Sequence, residues 1–216
     1  MKISLINAGK RFNRDWIFRK INYEFISGKS YAITGPNGSG KSTLLQVIGG
    51  AIAQSEGEVK YHTNSSSSHE VAAADHAFKY ISISAPYLEL VNEMTLTEFL
   101  EFHQKFKPYL LDLTVDKIIS LIGLENAADK QIRYFSSGMK QRVKLAQAIL
   151  SDVPCVLLDE PCTNLDANGI SLYLQLIKDF CKGRLVIISS NDLTEYEFCE
   201  ERILITDYNK SALARN

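Results

Sequence analysis

Five short aliphatic runs punctuate the chain: KSYAIT (29–34), KYISIS (79–84), VPCVLLDE (153–160), RLVIISSN (184–191) and RILIT (202–206). Several lack the polar alternation of a half-exposed strand. They predict strands covered on both faces, as in a parallel sheet. Between them hydrophobic residues recur at helical spacing. Leu44, Leu45, Val47 and Ile48 follow one helix, and Leu96, Phe99, Leu100, His103 and Phe106 a second. Val115, Ile118, Ile119 and Ile122 mark a third, closed by Gly123; Ile170, Leu174, Ile177 and Phe180 mark a fourth, with Gly183 just beyond. Strands alternating with helices predict an α/β fold with right-handed crossovers.

Two stretches break the rhythm. HTNSSSSHEVAAADH (62–76) is polar and Ser/Ala-rich, and reads as an exposed loop in a hairpin. Residues 87–150 read as helical throughout, which predicts a helical subdomain inserted into the α/β core. No internal repeat divides the chain, so residues 1–216 are expected to form one domain.

Composition narrows the function classes. The 216 residues are 45% hydrophobic and 23% charged, which suits one sizeable core. Lys plus Arg total 24 and Asp plus Glu 25, a net charge of -1, so no global basic field exists to hold nucleic acid or anionic lipid. The apolar runs fall far short of the ~20 residues that cross a bilayer, and the opening MKISLINAGKRF lacks the apolar core of a secretory leader. Cys155, Cys162, Cys181 and Cys199 form no Cys-x-x-Cys pair, and His62, His69, His76 and His103 lack metal spacing, so a reduced, cytoplasmic-side protein is expected.

ITGPNGSGKST carries Gly-x-x-x-x-Gly-Lys-Ser at Gly35, Gly40, Lys41 and Ser42, between an apolar run and an amphipathic one. Glycines let successive backbone N–H groups turn inward as an anion nest, and the following helix adds its positive dipole end. Lys41 is placed to reach β- and γ-phosphates, Ser42 to ligate Mg²⁺, and Thr43 to add a phosphate hydrogen bond. This is a nucleotide site.

VPCVLLDEPCTNLD delivers Asp159 and Glu160 to the carboxyl edge of a sheet, where α/β proteins bind ligands. Asp159 can hold Mg²⁺ through water, and Glu160 can polarise a water attacking the γ-phosphate. In RYFSSGMKQRVKLAQAIL, Ser136 can cap a helix, and a Ser-Ser-Gly turn at a helix start is a second anion-binding device.

GPNGSGKST, FSSGMKQ, CVLLDEP, TNLD and SSND, in this order over nearly the whole chain, resemble the ATP-binding domain of ABC transporters. The short length is similar to the small exporter-type subunits, including the haem-exporter kind. The resemblance implies a phosphate-loop NTPase core with an antiparallel β-subdomain and an inserted helical subdomain. It implies ATP and Mg²⁺ as ligands, and a head-to-tail pair, homodimeric or heterodimeric, with separate integral membrane subunits. Gly35, Asn37, Gly38, Ser39, Gly40, Lys41, Ser42 and Thr43 would hold the nucleotide, and Ser136, Ser137 and Gly138 would meet its γ-phosphate from the partner. Asp166 would couple the two sites across the dimer, and Phe12, with Trp16 as second choice, would stack on adenine. Pro86, Tyr87, Leu88, Leu90 and Val91 would offer a docking surface for the membrane subunits.

Two departures bear on rate. The family's histidine after SS is Asn191 here, which can donate a hydrogen bond to phosphate but carries no charge. Ala85 or Pro86 stands where the family has a glutamine; Met139 also ends the serine signature in place of a glutamine. Slow turnover through Glu160, Lys41 and Asn191 is expected. A weakly hydrolysing subunit, a soluble non-transport protein of the same fold, and a small-molecule kinase remain the alternatives; the kinase leaves the serine signature unexplained.

Overall fold

A computed structural model of the chain describes residues 1–65, 68–72 and 74–209. Two sheets organise it. A parallel sheet runs β6 (Ile81–Ser84), β7 (Cys155–Asp159), β8 (Leu185–Ser189), β3 (Ser30–Thr34), β9 (Glu201–Leu204). An antiparallel sheet runs β2 (Asp15–Ile26), β1 (Lys2–Phe12), β4 (Glu56–Ser65), β5 (Ser68–Ala72).

The missing polar alternation in β7 and β8 has a simple cause. Cys155 and Leu157, with Leu185 and Ile187, face a core shared with Ile3, Phe18, Phe25 and helix α1 (Lys41–Ile48). Val156 and Leu158, with Val186 and Ile188, face a second core shared with α4 (Ser137–Ile149) and α5 (Ala167–Phe180). Both faces are dry, so every position up to the carboxyl-end residues Asp159 and Ser189 is apolar. Each fully buried aliphatic side chain contributes roughly 1.5–3 kcal/mol relative to exposure.

Between β6 and β7 lie α2 (Leu96–Gln104) and α3 (Val115–Leu121), ahead of α4. Helix α2 starts on a reciprocal cap. Thr95 Oγ1 accepts from the Glu98 N–H at 3.2 Å, and the Glu98 carboxylate accepts from the Thr95 N–H at 2.8 Å. The Gly123 stop is where the pattern placed it, at φ 66° just past α3.

Three expectations need correction. The long N-terminal hairpin of β1 and β2 was not among the aliphatic runs, because one face of it is polar: β1 buries Ile3, Leu5 and Ala8 but leaves Ile6 exposed. The polar stretch 62–76 is mostly strand: β4 and β5 pair antiparallel from Tyr61–Ala72 to Ser65–Ser68, while residues 66, 67 and 73, and the exposure of 64–75, lie outside the described residues. Helix α2 ends before Phe106, which is 71% exposed and packs edge-on against Phe102 at 4.9 Å instead of joining the core.

Candidate nucleotide site

The loop from β3 to α1 turns sharply because its glycines take left-handed backbone. Gly40, the N-cap of α1, sits at φ 103°, and a Cβ there would lie 2.3 Å from Ile17 Cγ2. Only glycine fits. The helix therefore begins at Lys41 with its first N–H groups free to face an anion. The Lys41 ammonium, 5% exposed, donates to the carbonyls of Gly35 at 2.9 Å and Pro36 at 3.3 Å, so it folds back over the loop that precedes it.

A cleft of about 210 Å³ opens on this turn, lined by Ile17, Asn37, Gly38, Gly40, Lys41, Ser42, Thr43 and Glu160. The structure thus brings the glycine loop and the acidic strand end together across 120 residues of sequence. Gly35 and Ser39 belong to the loop without lining the cleft; the Ser39 hydroxyl is buried with no partner. Asn191 joins from β8: its Nδ2 donates to Asn37 Oδ1 at 2.7 Å.

The carboxyl edge of the parallel sheet carries an electrostatic debt. Asp159 is 2% exposed and its Oδ1 has no hydrogen-bond partner; neither has Ser189 Oγ nor Ser84 Oγ. Ser189 is the register partner of Asp159, and Ser84 pairs with Leu158 one step back, so all three sit on adjacent strand ends. Buried unpaired polar groups are costly. A hard oxygen set of Asp159 carboxylate and Ser42 hydroxyl suits a hydrated Mg²⁺ that keeps several waters and phosphate ligands, so the residues present fit that ion. The polar end of RLVIISSN finds part of its satisfaction in Asn191 bonding to Asn37 and in the Asp192 N–H donating to Ser190 Oγ.

Tyr87 stands beside this edge and was overlooked as a polar group. Partial burial pushes its phenol up to about 12, and the Asp159 charge pushes the same way. Ala85 and Pro86, just before it, have no side-chain ligand to offer. Of the docking residues, Tyr87, Leu88 and Val91 are exposed, whereas Leu90 is only 7% exposed and belongs to the core with Leu96 and Phe99. The docking assignment of Leu90 is therefore corrected: its side chain holds the helices together.

The serine turn forms as its residues suggest. Ser136 caps α4, accepting from the Met139 N–H at 3.2 Å, and Ser136 and Ser137 are exposed. They do not line the cleft. Gly138 lets the turn approach the loop after β7: a Cβ would lie 3.1 Å from the Asn164 carbonyl oxygen. In that loop Asp166 caps α5, accepting from Gly169 N–H at 2.8 Å, and pairs with Arg142 of α4 at 3.4 Å.

The two aromatic candidates differ in freedom. Trp16 lies between guanidinium groups, with Arg19 at 4.1 Å and Arg11 at 5.5 Å, and Arg19 is held in turn by a bidentate pair with Glu56 at 2.8 and 2.6 Å. Phe12 is 50% exposed, with only the Lys10 ammonium at 5.0 Å from its ring. Neither lines the cleft itself.

A glycine loop at a parallel strand–helix junction, with a buried aspartate at the end of β7, one strand removed from β3 in the same sheet, defines a phosphate-loop nucleotide-binding protein. The ABC transporter family profile matches residues 18–163. An uncharacterized ABC transporter ATP-binding protein of Bacillus subtilis, YybJ, is 30% identical over 191 residues, covering 88% of this chain and 85% of that one. A second from the same organism, YdbJ, is 28% identical over 198 residues; the match spans 91% of this chain but only 63% of that longer protein. Among solved structures, the bacterial ABC transporter cassette MJ0796 is 25% identical with a TM-score of 0.78, over 94% of this chain and 93% of that one. It has been solved as a dimer and in a post-hydrolysis state bound to ADP and Pi. The chain belongs to the ABC transporter family, as one of its ATP-binding domains.

Proposed function

We propose that this chain binds ATP with Mg²⁺, hydrolyses it, and uses the cycle to drive separate membrane subunits through head-to-tail pairing with a second ATP-binding domain. The observation that carries the pairing is the separation of the two anion-binding devices. The cleft is lined by the glycine loop and Glu160, while Ser136 and Ser137 lie exposed outside it. A second chain supplying its serine turn to the first chain's γ-phosphate would complete both sites at once. ATP then favours the closed pair by differential binding, and hydrolysis removes the joining phosphate. The dimeric state of MJ0796 supports the reading.

Within one site, the backbone of residues 37–41 cradles the phosphates and Lys41 offsets their charge. Glu160 orients the attacking water and accepts its proton. Asn191, held by Asn37, donates to the γ-phosphate. Mg²⁺, held by the Ser42 hydroxyl and through water by Asp159, would neutralise the phosphate charge. Phe12 offers the free ring for adenine, and Asp166, at the start of α5 beside the serine turn, connects one site to the other.

Among the described residues no helix is long and apolar enough to cross a membrane. Transport therefore calls for membrane subunits, with Tyr87, Leu88 and Val91 as contact points and the chain on the cytoplasmic side of the membrane. One specific feature favours a second reading, a weakly hydrolysing half of a heterodimer: Asn191 and Ala85–Pro86 remove two side chains the family uses in the phosphate site.

Static light scattering of a Glu160→Gln variant tests the proposal. The variant is expected to double in mass with ATP and Mg²⁺, and to return to monomer when Ser136→Arg is added. A mass unchanged by ATP under saturating nucleotide would sink homodimeric pairing and leave the heterodimeric reading.

A further inference from the structure

Glu160 combines two demands that conflict. Its backbone is left-handed, at φ 44°, a region that disfavours any residue with a Cβ. Yet its carboxylate must hold one direction if it is to orient water. Such strain persists only where the surroundings over-determine the backbone. The surroundings here are specific. The Glu160 N–H donates to the Ser189 carbonyl at 2.9 Å, and the Thr163 N–H returns to the Glu160 carbonyl at 3.1 Å.

The next peptide, Pro161–Cys162, is gripped from two sides by buried side chains. From α4, Gln141 Nε2 donates to the Pro161 carbonyl at 2.7 Å. From α6 (Leu193–Tyr196), Glu195 Oε1 accepts from the Cys162 N–H at 2.7 Å. Gln141 is 3% exposed and Glu195 4% exposed. Neither bond belongs to a helix or a sheet ladder, and neither residue lines the cleft.

Burying a carboxylate needs a reason. Desolvation raises the Glu195 carboxyl above its usual range, and its Oε2 has no hydrogen-bond partner. The segment around it is tied down: the Tyr173 hydroxyl donates to the Glu195 carbonyl at 2.6 Å, and the Glu195 N–H donates to the Asp192 carbonyl at 3.0 Å. A core position filled by an apolar residue would avoid this cost, whereas only an acceptor here can hold the Cys162 N–H.

We infer that Gln141 and Glu195 are positioning residues for hydrolysis, which pin the Pro161–Cys162 peptide from opposite sides and so hold Glu160 in its left-handed, cleft-facing conformation. This rests on Glu160 being the hydrolytic base. The two grips also have different addresses. Gln141 stands five residues after Ser136, on the helix that a partner's nucleotide would touch. Glu195 stands four residues after Asn191. A shift of either element on nucleotide binding is transmitted to the backbone of Glu160 through one hydrogen bond.

The test compares Gln141→Met and Glu195→Met, which keep length but remove donor and acceptor, with Glu195→Gln, whose amide oxygen can still accept from Cys162. Steady-state kcat and KM, equilibrium affinity for a fluorescent ATP analogue and thermal midpoint are measured for each, alongside Glu160→Gln. Both Met variants are expected to lose at least tenfold in kcat with nucleotide affinity within about twofold, and Glu195→Gln to recover most of that loss. Full kcat in either folded Met variant, or a parallel loss of affinity, overturns the inference. If the Met variants do not fold, hydrogen exchange of the wild-type chain decides: the Cys162 amide is expected to be as protected as the β7 amides, and exchange at the rate of an exposed loop overturns the pinning. A wild-type chain without hydrolysis, or an active Glu160→Gln, overturns the role of Glu160 and the inference together; full activity in the Met variants with an inactive Glu160→Gln overturns the inference alone.

Discussion

The Asn191 amide donates to the Asn37 side-chain oxygen at 2.7 Å, bridging the end of β8 to the glycine loop across 154 residues of sequence. An uncharged, short side chain thus reaches the phosphate loop directly. It adds no positive charge to a transition state that spreads negative charge over oxygens.

Asn191→His is therefore expected to raise ATP turnover by roughly tenfold, below the 10²–10³ that one well-placed donor contributes at most. A coupled-enzyme assay with matched nucleotide affinity measures it. No gain over wild type would show that this position does not limit the rate.

Phe12→Ala is expected to weaken ATP binding by about tenfold, the order of one base–aromatic stack, and to leave the thermal midpoint unmoved. Trp16→Ala is expected to do the reverse, since it frees the Arg19 and Arg11 guanidinium groups from the ring. Titration with ATP and a melting curve for both variants separate the roles. The opposite assignment would follow if Trp16→Ala lost affinity at unchanged stability.

Tyr87→Phe removes only a hydroxyl from the neighbourhood of Asp159. It is expected to lower kcat several-fold without weakening capture of a copurifying membrane subunit. Tyr87→Asp is expected to abolish that capture. A Phe variant with wild-type kcat would return Tyr87 to a purely docking role.

His103 links acidity to stability. Gln147 Nε2 stands 3.1 Å from its Nδ1, Nε2 stands 2.9 Å from Ser151 Oγ, and Ser151 donates to the Gln147 carbonyl at 2.6 Å. An amide N–H can only donate, so Nδ1 accepts and Nε2 carries the proton of a neutral ring. Burial, then the Lys107 charge, lowers its pKa from 6.5 to about 4. The unfolded chain takes up a proton below pH 6.5 that the folded chain refuses, so stability is complete above pH 6.5 and declines as pH falls towards 4. His103→Gln is expected to flatten the urea midpoint between pH 7 and 5, a slope worth about 2 kcal/mol at most. An unchanged slope would place the acid sensitivity elsewhere.

Much of this molecule was readable from local patterns. The parallel strands announce themselves because burial on both faces leaves four consecutive apolar residues in β7 and in β8 ahead of their polar ends. The glycine loop is legible because the left-handed turn at Gly40 tolerates no side chain. Asp159 already stood out as a group a buried run should not contain, whereas the unpartnered hydroxyls of Ser84 and Ser189 beside it emerged only in the structure. The antiparallel hairpin β1–β2 was harder, since exposed polar residues such as Asn7 and Arg11 interrupt β1 and dilute the apolar signal. Phe106 misled for the opposite reason: its spacing suits α2, but the helix stops two residues too early.

Local chemistry determined which devices this chain carries: an anion nest, an acidic strand end, a capped serine turn and the residues that replace a histidine and a glutamine. Only the tertiary structure decided which of them meet. It placed Glu160 with the glycine loop, left Ser136 and Ser137 outside the cleft, surrounded Trp16 with arginines, and set Gln141 and Glu195 against one peptide. The physical reason is range. Capping, turn sterics and periodicity act over a few residues, whereas the partners of a buried amide or carboxylate are set by strand order and helix packing across the whole chain.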